Sequence, residues 1–179
     1  VRILGLDLSL RSTGYVLLDD DQVVWFGTVG SNTEEGRLEM FDRWIREQLR
    51  AKRFQHVAIE GYSYGSPQGA TRAFGIGELG GVMKLAVHQA RMPLHIIAAN
   101  TWKKVLCGKG GLAKDLVRVE LFKRYQVEFA SQDTLEAWAV AMCLRRQLLG
   151  LDKPEPKSRA KRLHQTRVPI PTELLEGMS

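Results

Sequence analysis

The chain reads as an α/β protein built on a mixed five-stranded sheet, a three-stranded antiparallel meander plus parallel strands, with helices on both faces. Three observations predict it. Residues 2–29 hold three short apolar runs separated only by turn formers, a helix-period segment follows, and apolar strand and helix patterns then alternate to about residue 148. A length of 179 residues with 44% hydrophobic content supports one core and a short appendage, so the expected division is a domain over 1–150 and a tail over 151–179.

Residues 2–9 alternate with period two, Leu4, Leu6 and Leu8 facing one way and Ile3, Gly5, Asp7 and Ser9 the other. Arg11-Ser12-Thr13-Gly14 turns the chain into Tyr15-Val16-Leu17-Leu18, and Asp19-Asp20-Asp21 turns it again into Val23–Val29. The three aspartates are a solvated hairpin turn. From Glu34 to Lys52, Leu38, Phe41, Ile45 and Leu49 recur at spacings of three and four, which predicts an amphipathic helix leading to a strand over His56–Ile59. A helix from about Thr71 to Gln89 and a strand over Leu94–Ala98 follow, with Asn100 and Thr101 as caps of the next helix. The last helix opens at Asp133 and Glu136. Residues 61–70 are rich in turn formers directly after a candidate acid, which predicts a mobile functional loop. Past Gly150, Lys153-Pro154-Glu155-Pro156-Lys157 reads as a weakly ordered tail.

The net charge of +6 is concentrated, which narrows the partner class. Residues 153–167 carry Lys153, Lys157, Arg159, Lys161, Arg162 and Arg167 against Glu155 alone, and residues 101–124 carry seven basic residues against Asp115 and Glu120. The rest of the chain is therefore net acidic, and two basic stretches on a nearly balanced body suit nucleic acid. Two distant cysteines, Cys107 and Cys143, give neither a zinc site nor a disulfide framework. No run of 18 apolar residues occurs and the sequence opens on strand-like residues in place of a leader, so a soluble, cytoplasmic protein without a membrane partner is expected.

Asp7 interrupts an apolar strand, Glu60 ends one, and Asp133 with Glu136 opens an apolar helix. Buried carboxylates are costly unless a cation compensates them. Residues three apart on a helix share a face, and neighbouring strands can bring Asp7 and Glu60 together. Acids without clustered His or Cys select a hard cation, Mg2+ or Mn2+, and two such ions suit in-line displacement at phosphorus. Phosphodiester hydrolysis is the reaction class that follows. Taken singly, each acid also has an ordinary reading: a strand-end charge, or a helix N-terminal pair with Ser131 or Asp133 as cap.

Together, Gly5-Leu6-Asp7-Leu8-Ser9 with Thr13-Gly14, the strand-end Glu60 and Asp133-Thr-Leu-Glu136-Ala-Trp-Ala-Val-Ala resemble the RNase H-like nucleases, and within them the RuvC-like Holliday junction endonucleases, over roughly residues 2–148. The resemblance implies an RNase H-like fold. It also implies that Asp7, Glu60, Asp133 and Glu136 are four metal-binding catalytic acids holding two ions. Many members of that family have Asp where this chain has Glu136. Lys103-Lys104 through Gly108-Lys109-Gly110 to Lys114 is similar to the family's lysine and Gly-x-Gly stretch, which implies DNA contacts from Lys103, Lys104, Lys109 and Lys114 and support of the scissile group by Lys114. Tyr62 or Tyr64 would stack on an unpaired base at the branch point. Gly75, Gly77, Gly80 and Gly81 lie in the segment that forms the family's homodimer interface. The implied substrate is branched DNA, above all four-way junctions, in recombination and repair, with a helicase or recombination partner left unspecified. Flaps, forks, RNA–DNA hybrids and a non-cleaving DNA-binding role remain open alternatives, whereas a sugar-kinase-like reading needs two such domains and this chain holds one.

Overall fold

The computed structural model describes residues 1–51, 54–61 and 70–152, with side chains from residue 74 onward in the last span. Tyr62, Tyr64, most of the expected loop over 61–70 and nearly all of the tail lie outside these residues. Five strands form one sheet: β1 (Arg2–Asp7), β2 (Thr13–Asp19), β3 (Gln22–Val29), β4 (His56–Gly61) and β5 (Leu94–Ala98), in the order β3-β2-β1-β4-β5. β1 pairs antiparallel with β2 and parallel with β4, and β4 pairs parallel with β5, so the sheet is mixed as predicted.

Period-two alternation divides the core into two layers. Leu4 and Leu6 of β1, with Val57 and Ile59 of β4, pack beneath α1 (Arg37–Arg50) and α2 (Ala70–Gln89), against Phe41, Ile45, Leu79 and Met83. Ile3, Val16, Leu18 and Ala58 face the other way, toward α3 (Ala99–Cys107), α4 (Lys114–Tyr125) and α5 (Gln132–Leu148). The helix α1 starts three residues later than its periodicity suggests, because Gly36 takes a left-handed φ of 67° ahead of it.

Two sequence expectations need correction. Asn100 and Thr101 do not cap α3; they lie within it, and its N-cap is Ala98, which makes no side-chain cap bond. The strand β1 stops at Asp7 and does not reach Ser9. There the Thr13 hydroxyl accepts the Ser9 N–H at 3.1 Å and donates to the Ser9 carbonyl at 2.7 Å, which satisfies the backbone locally and bends the chain toward β2.

The helix α5 lies directly on the backbones of β1 and β2. A Cβ on Gly5 falls inside contact distance of the Ala137 carbonyl and 2.7 Å from the Ala141 Cβ, and a Cβ on Gly14 collides with the Asp133 carbonyl. The Thr134 hydroxyl donates to the Gly27 carbonyl at 3.1 Å, which ties the same helix to β3. Ser131 caps α5, its hydroxyl accepting the Thr134 N–H.

Adding one methyl at either glycine forces backbone apart from backbone. Gly14→Ala is expected to destabilise the protein by about 1–3 kcal/mol or more, lowering the melting temperature by roughly 2–4 °C per kcal/mol. Urea unfolding monitored by circular dichroism measures it.

Candidate active site

Asp7 ends β1 and Glu60 stands one residue before the end of β4. Leu6 is level with Ile59 across this parallel pair, so the two acids are neighbours at the C-terminal edge of the sheet. Asp7 shares the face of Ile3 and Gly5, and Glu60 the face of Ala58, so both meet α5. That helix contributes Glu136 from its second turn, only 8% exposed. One carboxylate oxygen from each of Asp7, Glu60 and Glu136 lies within 4.8 Å of the others.

The electrostatic consequence is large. Burial first, then the charges of Glu60 and Glu136, a hydrogen bond with Glu136 and the charge of Asp133, push the Asp7 carboxyl up to about 9. Burial, then the Glu136 charge, pushes Glu60 up to about 7, opposed by the Trp102 N–H and by the Lys103 and Lys114 ammonium groups. An all-oxygen, acid-rich donor set of this kind fits a hard divalent cation, whose charge removes the repulsion.

Of the four acids singled out in the sequence, three come together and the fourth stands beside them. Asp133 is half-buried one turn ahead of Glu136, and its charge acts on Asp7, but it lies outside the group of three carboxylates. Its backbone is pressed against Gly14, which fixes the start of the helix and directs the next turn inward. Lys114 opens α4, 72% exposed, with Nζ 3.6 Å from Glu136 Oε1, so it touches the acids and solvent at once. Lys103 donates to the Leu112 carbonyl at 3.4 Å and lies 5.5 Å from the centre of the Trp102 ring. Lys104 and Lys109 are exposed.

Two neighbours of the acids went unnoticed in the sequence. The fully buried Trp102 donates Nε1–H to Glu60 Oε2 at 3.0 Å, and Gln132 donates Nε2–H to Glu136 Oε1 at 2.9 Å. The available signals were weak: a buried indole needs an acceptor, and Gln132 precedes Glu136 by one helical turn.

The family model of the crossover junction endodeoxyribonuclease RuvC matches residues 3–144. The chain is 30% identical over 154 residues to the crossover junction endodeoxyribonuclease RuvC of Bartonella quintana, covering 80% of this chain and 88% of the relative. It is 26% identical over 151 residues to that of Rhizobium etli, with the same shares covered. Among solved structures, Thermus thermophilus RuvC superposes with a TM-score of 0.71 at 19% identity, covering 87% of this chain and all of that one. The same protein in complex with Holliday junction substrate gives 0.70 at 20% identity, covering 86% and 99%. These likenesses establish the RNase H-like fold.

The raised carboxyls set a pH dependence. In the metal-free protein Asp7 keeps its proton from an ordinary value of 3.8 up to about 9, and Glu60 from 4.5 up to about 7, where the unfolded chain has already lost it. The folded state then binds more protons than the unfolded one, so stability falls as pH rises through these windows. Thermal melts of metal-free protein between pH 5 and pH 9 should show a declining midpoint that Asp7→Asn flattens. Added Mg2+ should raise the wild-type midpoint more at pH 8 than at pH 6, because at the lower pH it must displace protons.

Proposed function

The chain belongs to the RuvC family of crossover junction endodeoxyribonucleases, and on that premise we propose that it resolves four-way DNA junctions by phosphodiester hydrolysis at the centre formed by Asp7, Glu60 and Glu136. The observation that carries this is the convergence of three carboxylates within 4.8 Å at the sheet edge, with Asp7 and Glu60 driven toward their protonated forms by burial and by the charges of their neighbours.

Two Mg2+ ions, or Mn2+, would be held by Asp7, Glu60 and Glu136 together with Asp133, one turn ahead of Glu136. When bound, such ions supply Lewis acidity toward water and phosphate oxygens. Asp7, Glu60 and Glu136 hold and orient them. Lys114, poised between Glu136 and solvent, meets the negative charge that grows on the phosphate. Lys103 keeps Glu60 toward its ionised form, and exposed Lys104 and Lys109 contact the DNA backbone, so binding weakens steeply with salt. Tyr62 or Tyr64 stacks on an unpaired base, and the basic stretch over 153–167 adds backbone contacts or receives a helicase-like partner. The cytoplasm of a bacterial or virus-infected cell is the setting that the bacterial RuvC relatives support. Among the described residues no helix is long and apolar enough to cross a membrane.

Two symmetric cuts call for a two-fold dimer. The outer face of α2 supports one: Phe74 is 76% and Leu85 53% exposed, and a Cβ added to Gly77 or Gly81 meets nothing within 4 Å. A second copy packed there uses the glycines for close approach. In that case Gly81→Leu shifts the protein from dimer to monomer in analytical ultracentrifugation without lowering the monomer's helix content, and an unchanged dimer assigns the interface elsewhere.

Cleavage of end-labelled four-way junction, flap, fork and linear duplex tests the activity. Paired symmetric nicks in the junction are expected with Mg2+ and none with EDTA. Asp7→Asn should lose at least ~100-fold in rate while junction binding survives, and Lys114→Ala should lose roughly 10-fold or more. Preferential cutting of flaps or forks would replace the proposal with a broader branched-DNA nuclease; binding without metal-dependent cutting would remove the enzyme assignment.

A further inference from the structure

Two of the three converging acids have one oxygen already held by a neutral N–H donor of the chain itself. Trp102 Nε1–H holds Glu60 Oε2 at 3.0 Å and Gln132 Nε2–H holds Glu136 Oε1 at 2.9 Å. The two donors are fixed by different means. The indole is fully buried in the core layer beneath α3 and α5, packed in so that it cannot follow a moving carboxylate. Gln132 shares a helix face with Glu136 one turn away, so donor and acceptor move as one body.

The terminal torsion of a free glutamate is soft, and by turning it the carboxylate presents one oxygen or both to a cation. That choice separates cations. Ca2+ takes six to eight oxygens at about 2.3–2.6 Å and readily accepts both oxygens of a carboxylate, whereas Mg2+ demands near-octahedral geometry at about 2.0–2.1 Å, and selectivity between them rests on site flexibility and ligand count. Turning Glu60 toward two-oxygen binding pulls Oε2 away from Trp102 and leaves a fully buried N–H without its acceptor. Turning Glu136 breaks the Gln132 bond and moves the oxygen that also faces Lys114.

We infer that Trp102 and Gln132 are positioning residues that lock Glu60 and Glu136 as one-oxygen ligands and thereby make the centre prefer Mg2+ over Ca2+. The inference rests on the metal-dependent reading of this site and adds to it the residues that set ion selectivity.

The test is isothermal titration of the full metal-free chain with MgCl2 and, separately, CaCl2, for wild type, Trp102→Phe, Gln132→Met and Asp7→Asn, with circular dichroism confirming the fold. Each donor-deleting variant is expected to weaken Mg2+ binding by about 10-fold while changing Ca2+ binding by about threefold or less. The same collapse of selectivity should follow in metal-induced thermal shifts. Equal weakening of both ions, or an unchanged ratio, overturns the inference and leaves the two residues with a packing role. Gln132 lies half-buried in the first turn of α5, so its variant decides the question even if Trp102→Phe does not fold. Failure of the underlying reading looks different: wild type then shows no divalent binding that Asp7→Asn removes.

Discussion

The site depends on one close approach, the seating of α5 on the bare backbone of β1 and β2. A helix normally stands off a sheet by the thickness of the side chains between them. Here Gly5 and Gly14 remove that layer at two points, and the Ala137 and Asp133 carbonyls come down onto the strands. The small face of α5, Ala137 and Ala141, completes the fit. Because α5 sits so low, Glu136 in its second turn reaches the level of Asp7 and Glu60, which belong to the sheet itself. A helix held off by even one side-chain layer would separate Glu136 from the strand acids by more than a cation can bridge.

That seating carries an electrostatic cost which the rest of the molecule offsets. Bringing three carboxylates into a half-buried edge opposes folding, since each ion loses water and gains like-charged neighbours. The apolar layers on both sides of the sheet, with Trp102, Phe41, Leu4 and Leu6 wholly buried, supply the stability that tolerates it. The local partners are chosen to orient and only partly to neutralise: an indole N–H, an amide N–H and two lysines, half-buried Lys103 and largely exposed Lys114. A buried arginine fork would have quenched the repulsion and removed the demand for a cation.

How much of this was legible in the sequence follows from the range of each interaction. Asp7 and Glu60 were readable because strand alternation is local: an acid on the face of Ile3 and Gly5, or of Ala58, must point with them. On the last helix, a spacing of three put Asp133 and Glu136 on one face. Asp133 looked equivalent to Glu136, three residues away on the same face, and only the tertiary packing, which buries Glu136 among the other two acids and leaves Asp133 half-buried, distinguishes the two. The Trp102 to Glu60 bond spans 42 residues and leaves no local pattern. The break between α3 and α4 falls at Gly108, which ends α3 in a left-handed conformation with φ 81°, a helix stop that the surrounding lysines masked as part of a binding motif.

The two faces of the sheet thereby take on separate duties. The face under α3, α4 and α5 gathers the acids, their hydrogen-bond donors and Lys114, and its packing must be tight because fractions of an ångström decide what the carboxylates can hold. The face under α1 and α2 buries a conventional aliphatic layer, and α2 carries Gly77, Gly81 and the exposed side chains of Phe74 and Leu85 on the outside. Substitution at the exposed Gly77 or Gly81 is therefore remote from the acids, whereas a change at Gly5, Gly14 or Ala137 acts on the seating that brings them together. The strand β1 stands at the centre of the sheet with one side chain set on each face, so Leu4 and Leu6 connect the layer under α1 and α2 to the same six residues that end in Asp7.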